Sequence, residues 1–236
     1  TEPYFIMTII EEGGTHMRRD HNTDRLLECI RSNQLQRYMS SDLSAISELI
    51  YFDKNEYLIQ AGFPSDYLYF LVDGEVIISS YTSADKSTCV SYCQKLTMIG
   101  EAASLWQMVP SRSVRAITPC TCIAVNLNLY RHLLLNDLLF LQNVCQVLTY
   151  KLNDESDQCG NPAEALESRM ARFILSNSPD NLFSFQLTNC ADILNVSYRH
   201  LLRMLKTFCQ MGVLEKVKNG YRVTSRDSLE KLADGT

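Results

Sequence analysis

The residues with the most evident chemistry lie between positions 187 and 223, in the stretch LTNCADILNVSYRHLLRMLKTFCQMGVLEKVKNGYRV. Arg199, Arg203 and Lys206 stand at i, i+4 and i+7, so on a helix they form one stripe of cations. Such a stripe suits double-stranded DNA. A guanidinium fork bonds the guanine edge bidentately in the major groove, and ammonium groups neutralise phosphates. Leu201, Met204, Leu205 and Phe208 repeat on the other face, and Ser197 is a natural N-cap for the helix that carries both faces. Upstream, Ile193 and Leu194 close a shorter helix, and Asn195-Val196 makes the turn between the two. That order lays the second helix in a groove with its first residues at the base edges.

A hairpin is expected to follow. Residues 213–223 alternate on both sides of Asn219-Gly220, which predicts two strands with the Asn-Gly pair as their turn, in the manner of a wing. Between Ser197 and Arg226 there are seven basic residues, Arg199, Arg203, Lys206, Lys216, Lys218, Arg222 and Arg226, against the single acid Glu215. This patch sits in a chain of net charge −5. Residues 1–159 hold 12 basic and 19 acidic side chains, residues 160–236 hold 10 and 8. The acidic front would be repelled by phosphate and leave contact to the tail. A structural helix-turn-helix with a solvated basic face is the competing interpretation; the agreement of turn, wing and charge favours DNA.

Other elements must position this device. With 236 residues, 46% of them hydrophobic and 21% charged, the chain has ordinary globular composition and room for two domains. No apolar run reaches membrane-spanning length, which points to the cytoplasm and to no membrane partner. Residues 1–16, ending Gly13-Gly14-Thr15-His16 ahead of Met17, read as a leader and carry no fold expectation. Residues 24–40 suggest an amphipathic helix, and from Ile50 the pattern changes to short strands at 57–60, 67–72, 75–80, 89–94, 114–117 and 121–126. Gly62-Phe63-Pro64-Ser65, Asp73-Gly74 and residues 82–86 punctuate them, which argues for a β-sandwich or jelly-roll barrel.

The period then becomes helical. Leu134, Leu138, Leu141, Cys145, Leu148 and Leu152 follow a heptad seam, with Phe140, Val144 and Val147 as a second stripe beside it. One helix with two apolar faces is explained by packing one stripe on the barrel and the other on the same helix of a second copy. A helix buried within a monomer is the alternative. The polar run 153–161 reads as a hinge, and Pro162 suits the first turn of a helix carrying Leu166, Met170, Phe173 and Ile174.

Within the barrel, Gly100-Glu101 followed by a short helix, with Arg112-Ser113 some ten residues on, could hold a sugar phosphate. Arg112 would pair with the phosphate and Glu101 would accept from a ribose hydroxyl. The nine cysteines are an odd, scattered set without a CxxC pair, as expected of reduced core residues. Cys89 and Cys93, and Cys120 and Cys122, share strand faces but lie too far apart to bridge within a pair; a bridge between strands stays open. A cupin-like metal enzyme would need clustered His and carboxylate ligands, and none of His16, His21, His132 and His200 falls in an expected strand. Neither a nucleophile elbow nor HExxH appears, so no enzyme is expected.

These parts, in this order, resemble the cyclic-AMP receptor and fumarate-nitrate reductase regulator (CRP/FNR) family of bacterial transcription factors, from about Ile50 to the end. The resemblance is carried by Tyr57-Leu58-Ile59-Gln60-Ala61-Gly62, Leu68-Tyr69-Phe70-Leu71-Val72-Asp73-Gly74, Ile99-Gly100-Glu101, Arg112-Ser113 and the helix pair at Val196-Ser197. Tyr130-Arg131-His132-Leu133-Leu134-Leu135-Asn136-Asp137 and Val196-Ser197-Tyr198-Arg199-His200-Leu201-Leu202 are similar to the YeiL-type branch. The resemblance implies an α+β chain: a cyclic-nucleotide-binding-type jelly-roll barrel over 17–129, a long dimerisation helix over 130–157 and a winged helix-turn-helix over 158–236. It points to Tyr198, Arg199 and Arg203 as base readers, with Ser197 at the head of their helix. Thr188, Lys206, Lys218 and Tyr221 are expected to position the DNA backbone. The implied partners are a palindromic DNA operator, a second copy of the chain and RNA polymerase.

Departures bear on the ligand. Where cyclic-AMP-responsive members place a Thr-Ser pair toward the end of the long helix, this chain has Asp154-Glu155, and the loop between Glu101 and Arg112 is about one residue longer. A cyclic nucleotide is therefore disfavoured. The family's iron-sulfur sensors carry an N-terminal cysteine cluster, whereas only Cys29 stands there in this chain. A cyclic-nucleotide module without DNA function remains the alternative to a regulator.

Overall fold

In the computed structural model, residues 7–12, 15–81, 87–94, 96–158 and 164–235 are described. The chain divides into two units, the first reaching Asn153 apart from Thr88–Ser91, and the second running from Asp154.

The first unit is an antiparallel jelly roll. Its strands are β1 (Met7–Glu12), β2 (Thr15–Asp20), β3 (Ser47–Phe52), β4 (Tyr57–Ile59), β5 (Tyr67–Asp73), β6 (Val76–Tyr81), β7 (Ser87–Cys93), β8 (Thr97–Ile99), β9 (Ser113–Ala116) and β10 (Cys120–Asn126). They form a six-stranded sheet, β1-β2-β3-β10-β5-β8, and a four-stranded sheet, β4-β9-β6-β7. Helices α1 (Thr23–Ser32), α2 (Leu43–Ile46), α3 (Leu127–Leu135) and α4 (Leu138–Gln158) complete the unit. All six strands expected from the sequence are present. The expected helix over 24–40 stops early, because Gln34 takes a positive φ of 54° and a single 3-10 turn, Leu35–Arg37, follows. Part of the segment set aside as a leader takes a place in the sheet: β1 pairs with β2 from Met7↔Asp20 to Glu12↔Thr15, and β2 continues onto β3. The expected turn at 82–86 lies outside the described residues.

Both faces of the larger sheet are covered, which explains why its central strands read as continuous apolar runs. Along β10, Cys122 and Ala124 face the second sheet with Ile50, Phe52, Tyr69 and Val114, while Ile123 and Val125 face the helices with Leu26, Phe70, Phe140 and Val144. Cys120 and Cys122 are buried, and burial pushes the Cys120 thiol up to about 11 and the Cys122 thiol well above its ordinary value. Every described cysteine is a free thiol.

The long helix is two helices. α3 ends at Leu135, where the Asn136 side-chain amide donates to the His132 carbonyl at 2.7 Å. Asp137 then heads α4, accepting from the Phe140 amide at 3.1 Å, the Ser40 amide at 2.6 Å and the Ser41 amide at 3.1 Å. Leu134 is therefore corrected: it is fully buried in the barrel core on α3 and takes no part in the seam. The two stripes of α4 behave differently. Phe140 and Val144 are buried against the barrel with Val147 packed beside them. Leu138, Cys145 and Leu152 are exposed, with Leu141 and Leu148 half-buried between them. Among the described residues no helix is long and apolar enough to cross a membrane.

The second unit contains α5 (Leu166–Ser176), β11 (Leu182–Phe183), α6 (Leu187–Ile193), α7 (Tyr198–Gln210), β12 (Leu214–Val217), β13 (Gly220–Val223) and α8 (Arg226–Ala233). Its core gathers Met170, Phe173 and Ile174 of α5 with Ile193, Leu201, Leu205, Phe208 and Leu229. Phe173 meets Phe183 and Phe185 edge-on, at centroid separations of 6.1 and 5.0 Å. The helix expected at Pro162 begins at Leu166, and Pro162 itself lies outside the described residues.

Candidate nucleic-acid interface

The reading helix is fixed by local chemistry. Asn195 adopts φ 54°, a left-handed conformation that Asn tolerates, and turns the chain between α6 and α7. The Ser197 hydroxyl accepts from the His200 amide at 3.2 Å, filling one of the four orphan donors at the head of α7. Leu201, Leu205 and Phe208 bury one face. The opposite face presents Tyr198, Arg199, Leu202, Arg203 and Lys206, all exposed.

Charge on this surface is unevenly engaged. Arg222 lies 4.0 Å from Glu215 across the wing, and Arg226 lies 3.2 Å from Glu230 one turn along α8. Among the described residues no ion pair involves Arg199, Arg203, Lys206, Lys216 or Lys218. Thr188, in the first turn of α6, and Lys218, at the tip of the wing, are exposed as phosphate contacts require.

Two expectations are corrected. The wing turn is Lys218-Asn219, because Val217 pairs with Gly220 and the glycine is already the first residue of β13. Gly220 has φ 146°, and a Cβ there would come within 2.2 Å of the Phe183 carbonyl oxygen, so close approach of β11 is what requires glycine. Tyr221 is buried: its ring belongs to the core of the winged domain, which removes it from the exposed phosphate-facing set. The sequence reading missed Leu202, which is 38% exposed between Arg199 and Arg203. Its apolar character on a polar face was the available signal.

The barrel cassette faces inward. Gly100 has φ 98°, and a Cβ on it would sit 2.8 Å from the Tyr67 carbonyl. Its own carbonyl accepts from the Leu105 amide at 2.9 Å, closing a turn that leads into a 3-10 segment, Ser104–Trp106. Glu101 is buried, and its carboxylate takes a hydrogen bond from the Lys151 ammonium of α4 at 2.8 Å. Lys151 also donates to the Met98 carbonyl at 2.5 Å. Arg131 of α3 donates to the Ser104 and Leu105 carbonyls, each at 3.2 Å. Ser113 is buried with its hydroxyl accepting from the Ala61 amide at 3.0 Å, whereas Arg112 beside it is exposed. The acid, the serine and the turn are thus bound into the barrel's own network. The side chains of Asp154 and Glu155 lie outside the described residues. Among the described residues no group of three or more His, Cys, Asp or Glu could hold a metal.

Residues 49–137 match the cyclic nucleotide-binding domain family. Regulatory protein YeiL of Escherichia coli O157:H7 is 33% identical over 194 residues, covering 82% of this chain and 89% of YeiL. The chain belongs to the CRP/FNR family. A CRP-family transcriptional regulator from Thermus thermophilus superposes with a TM-score of 0.65 at 15% identity, covering 78% of this chain and 96% of its own. The c-di-GMP responsive global regulator CLP of Xanthomonas campestris gives 0.67 at 17% identity, with 82% and 99% covered. These structural likenesses establish a CRP/FNR fold. This CRP/FNR protein is a regulator of transcription; its relatives are regulatory proteins rather than enzymes.

Proposed function

We propose that the regulator acts as a homodimer, reading a palindromic operator in the cytoplasm with α7 and recruiting or blocking RNA polymerase there. The observation that carries this reading is the exposed face of α7, where Tyr198, Arg199, Leu202, Arg203 and Lys206 lie together with no carboxylate partner among the described residues. Tyr198, Arg199 and Arg203 discriminate bases; Thr188, Lys206 and Lys218 hold the phosphates. Two copies joined along the exposed stripe of α4 bring two reading helices to one operator, as a pair of half-sites about one DNA turn apart requires. Selection from a random-sequence DNA pool tests this. The expected product is an inverted repeat with half-site centres about 10 bp apart. Enrichment of single, unrepeated sites, or none, overturns it.

The barrel of this regulator does not use a cyclic nucleotide in the manner its cassette suggests. Glu101 already accepts from Lys151, so a ribose hydroxyl would have to displace an ammonium from a buried carboxylate. Thermal unfolding with cyclic AMP or cyclic GMP should leave the midpoint unchanged. A rise that disappears in Arg112→Ala would restore the nucleotide reading.

A further inference from the structure

We propose that the exposed apolar patch formed by Phe63, Trp106, Met108 and Val109 is the outer part of the contact with a second copy of this chain, continuous with the seam on α4. The proposal rests on the dimer reading and assigns to that dimer a surface of the barrel itself.

The four side chains are 53%, 47%, 60% and 58% exposed, far more than isolated surface apolars need be. The turn at Gly100 and the hydrogen bonds from the Trp106 and Met108 amides to the Ala103 carbonyl, at 3.0 and 3.1 Å, hold the segment in a fixed form. The Gly62 amide donates to the Pro110 carbonyl at 2.8 Å, which joins the Phe63 loop to it.

Continuity with α4 comes from Lys151. Its bonds to Glu101 and the Met98 carbonyl set the start of the patch segment against the flank of α4, the helix that carries the seam. The apolar seam expected on α4 is small. With Leu134 withdrawn into the core, five of its side chains remain, Leu138, Leu141, Cys145, Leu148 and Leu152, of which Leu141 and Leu148 are partly covered by their own barrel. At roughly 100 Å² for a side chain they yield on the order of 500 Å², against about 800 Å² from each partner in a standard interface. Gln142, Gln146 and Thr149 are exposed beside them and add polar area. Two aromatic side chains, each burying about 150–250 Å² when fully covered, together with a Met and a Val, would supply the apolar core that the seam lacks.

Charge selects the occupant. Residues 102–111 and 138–150 contain no Asp, Glu, Lys or Arg. Two adjoining uncharged apolar surfaces match the charge-depleted core of a self-complementary interface and offer nothing to a polyanion.

Trp106 is the only tryptophan of the chain, so its fluorescence reports on the patch directly. The test compares acrylamide quenching of the wild type, at concentrations above the dimerisation midpoint found by sedimentation, with a Leu138→Glu/Leu152→Glu variant held monomeric by charge at exposed positions. The expected result is a several-fold lower quenching constant and a blue-shifted emission in the dimer. Trp106→Ala should weaken dimerisation by about tenfold or more in sedimentation while leaving the thermal midpoint of the monomeric variant unchanged. A wild-type dimer whose Trp106 is quenched as fully as in the monomeric variant overturns the proposal and leaves the α4 dimer standing. A wild type that sediments as a monomer at all concentrations overturns both.

Discussion

The barrel cassette and the reading helix are both short runs of polar residues on a well-packed body, and they dispose of their polar groups in opposite ways. Glu101, Ser113 and the carbonyls of Ser104 and Leu105 all find partners inside the protein, in Lys151, Ala61 and Arg131. Arg199, Arg203 and Lys206 find none among the described residues and point outward. A site whose hydrogen bonds are already made resists a ligand that must first break them; one whose donors are open is completed by its partner. The same contrast separates residues that should matter for stability from those that should matter for recognition.

The strongest way to break this contrast is at Lys151. Lys151→Met leaves the Glu101 carboxylate buried without its cation and should cost about 3 kcal/mol in chemical denaturation, with much of the loss recovered in Lys151→Met/Glu101→Met. If the single change is neutral, the cassette is not internally committed. Arg203→Ala should do the reverse, lowering operator affinity by about 10- to 100-fold, or 1–3 kcal/mol, in gel-shift titration while the denaturation midpoint stays put.

Asp137 supplies a test with a defined pH sense. Burial raises its pKa, but the Phe140, Ser40 and Ser41 amides and the Ser40 hydroxyl outweigh that effect and hold the carboxyl below its ordinary value of 3.8. A depressed folded-state pKa means stability that is present above pH 3.8 and fades as pH falls through the folded value. Asp137→Asn should therefore be less stable than wild type by about 1–2 kcal/mol at neutral pH, the gap narrowing below pH 4. A gap independent of pH would mean that ionisation of Asp137 contributes nothing.

Smaller effects sharpen the recognition side. Leu202 offers an apolar contact to a thymine methyl, so replacing operator thymines by uracil one at a time should cost about 0.8 kcal/mol at one position for wild type and nothing there for Leu202→Ala. Lys218→Gln should weaken binding about equally across sequences and reduce the salt slope by about two, one for each copy in the dimer. Loss of sequence preference instead would place the wing on bases.

What the sequence made legible follows the range of the interactions. The helix-turn-helix is written in contacts three to four residues apart, Ser197 with His200 and Leu201 with Leu205, so pattern and capping located it. Asp137 reaches back to Ser40 and Ser41 across nearly the whole barrel, and nothing near it announces that the helix must break there. Leu134 was consequently assigned to a seam it never joins. Gly220 was taken for a turn residue because Asn-Gly favours turns, when the approach of Phe183 is its reason. Nothing in the sequence around Lys151 singles it out. Its pairing with Glu101, 50 residues away, depends on how α4 lies on the barrel.

That helix is held at two points. Asp137 anchors its head, and Lys151 pins it 14 residues later, about 21 Å along the axis. A rod pivoting at the first point magnifies small tilts at the second: about 3° moves the ammonium by roughly 1 Å, enough to turn a 2.8 Å hydrogen bond into a broken one. The pair therefore makes the tilt of α4 a matter of about one ångström at a single buried ammonium.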